Sequence, residues 1–396
     1  MKWASAISRN ASFDDAVLEC ADRVRDQLGP GPVSLALAFV SPHFAAYYHR
    51  LPEEIDRHLG AEVFLGCSGG GVIGGFEEIE GAPALALTAA RLPGVNVTPV
   101  HLDGLLPDLD GSPDAWERFV GVDPADEPEF VLLGDPFSVP VRALLAGLDY
   151  AYPAAAKIGG LVSGGTSPGT NALFLGDEVL TSGAVGIALS GDVTVDTVVA
   201  QGCRPVGGLF NITRCEGGLL YELDDRPAFE VLQDLFRSLG ERDRRLASSA
   251  LFVGILMNEL EEAPEVGDFL IRNLTGVDPS SGAIAIGENL QEGMRLRFHV
   301  RDADTSTEDL HTLLSSYTKN LRDPEAVSGA LLFSCLGRGI GLYREPDHDS
   351  GVLREHLGDV PTGGFFCNGE IGPVGGATFL HGYTSSLALF RPKNQP

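Results

Sequence analysis

Positive charge is scarce in this 396-residue chain: 28 Lys and Arg stand against 55 Asp and Glu, a formal net charge of −27 with a pI near 4.6. Binding a phosphate backbone takes a basic footprint, and the sequence has neither a Lys/Arg cluster nor aromatics interleaved with basic residues. Nucleic acid and anionic membrane surfaces are therefore not expected as partners. Also missing is any apolar run of about 18 residues, the length that spans a bilayer. The first residues, MKWASAISRNASFDDA, lack the apolar core of a secretory signal. Three methionines are too few for an adaptable Met-rich surface. The six cysteines, Cys20, Cys67, Cys203, Cys215, Cys335 and Cys367, show no CxxC spacing. That fits reduced thiols in a cytoplasm better than a disulfide framework, and the protein is expected to be cytoplasmic.

Glycine is what the chain has in excess, 50 of 396 residues, against an average share near 7%. Hydrophobic residues make up 44%, enough for a large core and, at about 150 residues per domain, for two or three domains. After Ser12 or Asp14, the apolar residues Ala16, Val17, Cys20, Ala21, Val24 and Leu28 recur at helical spacing, predicting an amphipathic helix over 12–28. The next stretch reads as strand (33–42), helix (51–60) and strand running into glycines (62–75). The same order returns in 130–165 and in 329–376. Hairpin-like material follows each time, at 83–92, 171–189 and 377–390. A period repeated three times points to a duplicated βαβ-plus-hairpin module. Between the second and third copies, residues 193–328 read as strands with short helices, and a helix over 306–321 leads into the third copy. The expected fold is mixed α/β (α+β), in two halves at 1–195 and 196–396. It is built from repeated strand–helix–strand–Gly-turn–hairpin modules whose sheets are flanked by helices.

Several segments in this order resemble one family: QGCRPVGGLFNIT (201–213), LDDRPAFEVL (223–232), FLIRNLTGVD (269–278), FSCLGRG (333–339) and GFFCNGEIGPVGGATFLHGYTSSLALF (364–390), with GCSGGGVIGG (66–75) and IGGLVSGG (158–165) in the first half. They look like the FIST family, the sensing region shared by bacterial signalling proteins and some F-box proteins. The resemblance covers nearly the whole chain, as FIST N plus FIST C with no F-box, kinase, chemotaxis or cyclase segment expected. It implies an intracellular small-ligand sensor, with amino acids the suggested ligands, a possible protein partner in signalling and no assigned catalysis. The family's N-terminal motif often reads GCSTAGEI; here Val72 stands where the acid would be, whereas the C-terminal motif keeps its acid as Glu370.

The candidate ligand-binding residues lie at the glycine-rich strand ends. Gly69, Gly70, Gly71, Gly164, Gly165, Gly337 and Gly339 have two readings: backbone N–H nests for a carboxylate or phosphate, or tight turns and close packing. Arg338, between two glycines after an apolar run, either offers its planar fork to an anion or pairs with an internal acid, Glu370 among them. Glu370 is either the counter-ion of a ligand amine or a buried or surface carboxyl. His381 and Tyr383 would add hydrogen bonds nearby. Two rival readings stand beside the sensor: a protein-interaction adaptor, as the F-box relatives of the resembled family suggest, and a thiol enzyme, in which Cys335, with Arg338 as its positive neighbour, or Cys67 would be the nucleophile, unless these and Cys367 are small buried apolar residues. Asp135 follows a strand and either binds ligand or caps the next helix. No GK[ST] follows the glycines and the GxGxxG spacing fails, so no cofactor is expected. Cys335, Cys367 and His381 have no metal-ligand spacing.

Overall fold

A computed structural model describes residues 1–103, 105–264, 266–321 and 326–393. They form two compact units: Met1–Val199 with Leu310–Leu380 and Thr384–Pro396, and Ala200–Asp309 with His381–Tyr383. The opening stretch of the first unit ends at Val199, and the chain returns to that unit at Leu310.

The first unit holds three six-stranded sheets of one design. At the centre of each is a parallel pair joined through a helix: Val33–Val40 with Ala61–Ser68, Glu129–Gly134 with Lys157–Leu161, and Gly329–Cys335 with Thr362–Cys367. Beside the first member runs an antiparallel strand, Leu85–Arg91, Ala184–Gly191 or Ser385–Arg391. An outer strand follows it, Lys2–Ser8, Val95–Leu102 or Thr194–Ala200 respectively. Beside the second member lies a hairpin that comes from a different copy. Module three receives Gly71–Gly74 and Glu77–Glu80 from module one, module one receives Leu173–Leu175 and Glu178–Leu180 from module two, and module two receives Glu370–Val374 and Ala377–His381 from module three.

This cyclic exchange corrects the sequence expectation of a hairpin kept within its own module. At 83–92 there is a single strand, and the first hairpin lies earlier, at 71–80. The glycine turn sends the chain across to the neighbouring sheet, and only the strand after the hairpin returns. A period-two pattern specifies a strand but not the sheet it joins.

Local chemistry accounts for the elements. Ser12 accepts the Asp15 amide (3.4 Å) to start the helix Phe13–Leu28, which buries Phe13, Ala16, Val17, Cys20, Ala21, Val24 and Leu28. Glu53 and Glu54 open Leu51–Leu59, and Gly60, at φ +55°, closes it. In each parallel pair a glycine faces the first strand: Gly66 opposite Ala38, Gly159 opposite Leu132, Gly364 opposite Leu332. A Cβ at any of the three would run into the carbonyl oxygen of that partner. Glycine there permits the two backbones to approach.

The inner faces of all three sheets share one core that includes Leu65, Val131, Leu133, Ile158, Leu331 and Phe333. Phe365 stacks on Phe39 (centroids 5.3 Å apart) and meets Phe333 edge-on (5.9 Å). The outer faces are covered by helices, Phe13–Leu28 on module one and Pro113–Val120 with Val141–Ala151 on module two.

The second unit is antiparallel. Arg204–Glu216 pairs with Arg295–Val300 along its first part and with Leu219–Leu223 along its second. Leu251–Leu256, Phe269–Asp278 and Ala283–Ile286 complete the circuit, so six strands close into a ring. The helix Ala228–Ser238 buries Val231, Leu232 and Leu235 in a core with Leu296 and Phe298.

Candidate functional site

The carboxyl ends of the three parallel pairs converge through hydroxyls. Ser68 Oγ donates to the Ser163 carbonyl (3.0 Å) and accepts the Ala172 amide (3.0 Å). Ser163, 1% exposed, accepts the Gly70 amide (2.8 Å) and donates to the Phe366 carbonyl. One serine thus ties all three modules together. Neither Ser68 nor Ser163 was singled out from sequence, where a serine before glycines reads as turn chemistry.

The glycines at this junction are engaged by the protein itself. The Gly69 amide donates to Val40 O (3.0 Å), Gly165 to Asn171 Oδ1 (2.8 Å) and Gly337 to Cys335 Sγ (3.5 Å). A Cβ would lie 2.6 Å from Leu336 at Gly70, 2.6 Å from Phe366 at Gly71 and 2.7 Å from Pro42 at Gly164, and at Gly339 it would meet the Glu80 carboxylate. Close packing, the plainer of the two sequence readings, describes these positions. Asp135 accepts from Ser138 Oγ (2.7 Å), the Phe137 amide (3.2 Å) and Asn171 Nδ2 (3.2 Å), so it organises its own turn.

Arg338 is fully buried, and its fork closes on Asp349: Nε donates at 2.7 Å and Nη2 at 3.0 Å. Its plane lies over the Tyr343 ring, 5.5 Å from the centroid. Asp349 also accepts from Ser385 Oγ (2.5 Å) and Ser334 Oγ (3.0 Å), and His348 Nδ1 lies 3.0 Å away. Burial pushes the Asp349 carboxyl up, but the Arg338 charge and the hydrogen bonds of His348, Arg338 and Ser385 outweigh it and hold it well below the carboxylate range. Glu78, brought in by the exchanged hairpin, accepts the Ser350 amide (2.7 Å) in the first turn of His348–Leu357, and its own amide donates to Asp347 (2.6 Å). Burial, then the charge of Asp349, pushes the Glu78 carboxyl up to about 8, against the hydrogen bonds from Ser350. Sequence reasoning did not select Asp349 or Glu78. The available signal was Arg338 itself, since an arginine among apolar residues and glycines demands an acid.

Glu370 is buried at the start of its strand and accepts the Thr384 amide (3.1 Å). Cys67 and Cys367 are also buried, and burial pushes both thiols well up, an environment that disfavours the thiolate. Cys335 is half-buried. Cys335 and Cys367 are register partners across the third parallel pair, and Glu370, Cys67 and Cys335 add to the burial effect at Cys367. His381 and Tyr383 belong to the second compact unit, whereas Arg338 and Glu370 belong to the first. Tyr383 packs on Phe252 (4.5 Å) and under Arg301 (5.1 Å), and its hydroxyl reaches Asn273. Among the described residues, no group of three or more His, Cys, Asp or Glu is placed to hold a metal ion.

A cavity of ≈500 Å³ opens in module two, at the amino ends of Glu129–Gly134 and Lys157–Leu161. That is the opposite end of the sheet from the glycine turns. Its apolar wall includes Pro124, Pro128, Tyr152, Pro153, Ala155 and Val193, and its charged members are Glu127, Glu129 and Lys393. Tyr152 is fixed by its hydroxyl on Val122 O (2.7 Å) and an edge contact with Phe130 (5.0 Å). Lys157, buried behind the wall, donates to the Tyr152 carbonyl (2.5 Å) and pairs with Asp149 (2.9 Å). The cavity is drawn from four separated segments, which no local motif announces.

Comparison with known proteins agrees with the motifs. The FIST N domain model matches residues 34–226 and the FIST C domain model 228–373. The uncharacterized proteins MT0656 and Rv0628c of Mycobacterium tuberculosis are 36% identical over 390 residues, covering 98% of this chain and 100% of theirs. The uncharacterized protein Mb0898c of Mycobacterium bovis is 36% identical over 375 residues, 95% of each chain. An F-box/LRR-repeat protein of Arabidopsis thaliana is 28% identical over 117 residues, 28% of this chain and 22% of that protein. A solved cyanuric acid hydrolase from A. caulinodans aligns over 99% of this chain and 100% of its own at a TM-score of 0.36 and 9% identity, a level that carries nothing about this chain. The chain belongs to the FIST family, whose domains are associated with sensory and signal-transduction roles.

Proposed function

We propose that this FIST-family chain is a cytoplasmic small-molecule-binding protein of a sensory system, with no catalysis of its own. The observation that carries the reading is the ≈500 Å³ cavity of module two. Its size falls within the roughly 300–1,000 Å³ of small-molecule sites, and an apolar wall with a few charged groups is what such sites use. Its wall is fixed by Tyr152 and the buried Lys157, so little ordering opposes binding. Amino acids, the ligands implied by the family, stay among the candidates.

A thermal-shift screen of the full chain against amino acids, organic acids, amines and nucleotides tests the proposal, with Ala155→Trp as the cavity-filling control. A ligand at about 100 times its Kd stabilises the native state by about 2.7 kcal/mol. A shift seen in the wild type and lost in Ala155→Trp supports the reading. No shift with any compound, from protein that carries no bound ligand by native mass spectrometry, rejects it in favour of an interaction adaptor.

A further inference from the structure

We infer that the module-two cavity selects small apolar molecules bearing an ammonium group, with Glu129 as the counter-ion. The inference rests on the binding reading above and narrows its ligand class. Glu129 is a partly buried carboxylate in the cavity wall, and its Oε2 accepts the Ala156 amide (2.5 Å). The surrounding cations are each committed elsewhere. Lys393 pairs with Glu127 (2.7 Å), Lys157 with Asp149 (2.9 Å), and Arg391 forks onto Asp196 (2.6 and 3.1 Å). Among the described residues no cation lies within salt-bridge distance of Glu129. The cavity therefore offers a ligand one carboxylate without a cationic partner, beside prolines and a tyrosine that take an apolar body.

Charge decides the class. An ammonium group meets Glu129 in a half-desolvated place, where a charge-assisted bond is strong. A carboxylate meets Glu129 and Glu127 as like charges and must first break the Lys393 pair. Burial pushes the Glu129 carboxyl up, opposed by the Ala156 amide and the charges of Lys157 and Lys393 and aided by Asp196. A bound cation pulls it back down, so affinity should rise with pH as Glu129 ionises.

The test is calorimetric titration of the full chain at pH 8 with four probes of similar body: 2-phenylethylamine, 2-phenylethanol, 3-phenylpropanoate and phenylalanine. The amine is expected to bind at least tenfold tighter than the alcohol, and phenylalanine more weakly than the amine. Glu129→Gln keeps an acceptor for Ala156 and should remove the preference of amine over alcohol. Ala155→Trp should abolish binding of both. If the alcohol or the carboxylate binds as tightly as the amine and Ala155→Trp abolishes it, the cavity is a ligand site but the ammonium class is refuted. If none of the probes binds, or if amine binding survives both substitutions, the inference falls. The binding proposal itself then stands or falls on the wider screen.

Discussion

Glu78→Gln should stabilise this protein in alkaline solution, because the fold holds a carboxyl where an ionised one is disfavoured. Glu78 is 3% exposed, contributed by the hairpin that module one lends to module three, and it faces the first turn of His348–Leu357. Burial, Asp349 and Asp347 push it up to about 8 from an ordinary 4.5, while Ser350 alone opposes them. The proton is thus bound more tightly in the folded chain than in the unfolded one. The stability associated with it is complete below pH 4.5 and is lost progressively as the pH rises through about 8. The gap between 4.5 and about 8, at ~1.36 kcal/mol per tenfold change in proton affinity, sets a ceiling of about 5 kcal/mol. Glutamine copies the neutral acid and keeps an oxygen for the Ser350 amide. Urea unfolding of wild type and Glu78→Gln from pH 6 to 9 reads the difference, in which the background titration of this acidic chain cancels. The variant should gain on the wild type steadily, reaching at least about 2 kcal/mol by pH 9. A difference that stays constant across that range would refute the reasoning.

Arg338→Ala should cost about 3–5 kcal/mol, because it leaves the Asp349 carboxylate buried without its bidentate partner. The melting temperature reads this, and Arg338→Ala combined with Asp349→Asn should recover part of the loss. Gly159→Ala should destabilise by about 1–3 kcal/mol or more, since its Cβ meets the Leu132 carbonyl. Gly341→Ala, which meets nothing within 4 Å, serves as its control in the same melts. Thiol titration with an aromatic disulfide should label Cys335 and Cys215 in the native protein and Cys20, Cys67, Cys203 and Cys367 only after unfolding, following their burial. Rapid native labelling of Cys67 would contradict the packing described for it.

Much of the first unit is legible in the sequence because its rules are local. The helix over 12–28 follows from Ser12 and the spacing of Ala16, Val17, Cys20 and Val24. The threefold order of strand, helix, strand and glycine turn needs only periodicities and stop signals. Family membership is readable for the same reason, since its motifs are the strand ends themselves. The candidate site was less legible. Arg338 shows as a residue that calls for an anion, but the sequence does not say whether a ligand or an internal acid supplies it, because Asp349 sits in a helix start where an aspartate is ordinary.

Sequence by itself determined most of the elements, the repeat and an arginine among glycines that would face an anion, either a ligand's or the protein's own. Tertiary structure alone decided which sheet each hairpin joins, because alternating side chains satisfy any sheet with a free edge. It also decided that 310–380 folds with the first unit, and that Glu78 comes to face Ser350 across the third module's edge. The cavity belongs to that second class. Its wall is assembled from segments around 124–129, 151–155, 193–194 and Lys393, and a hollow is a property of distances between segments, which a linear pattern of residues does not encode.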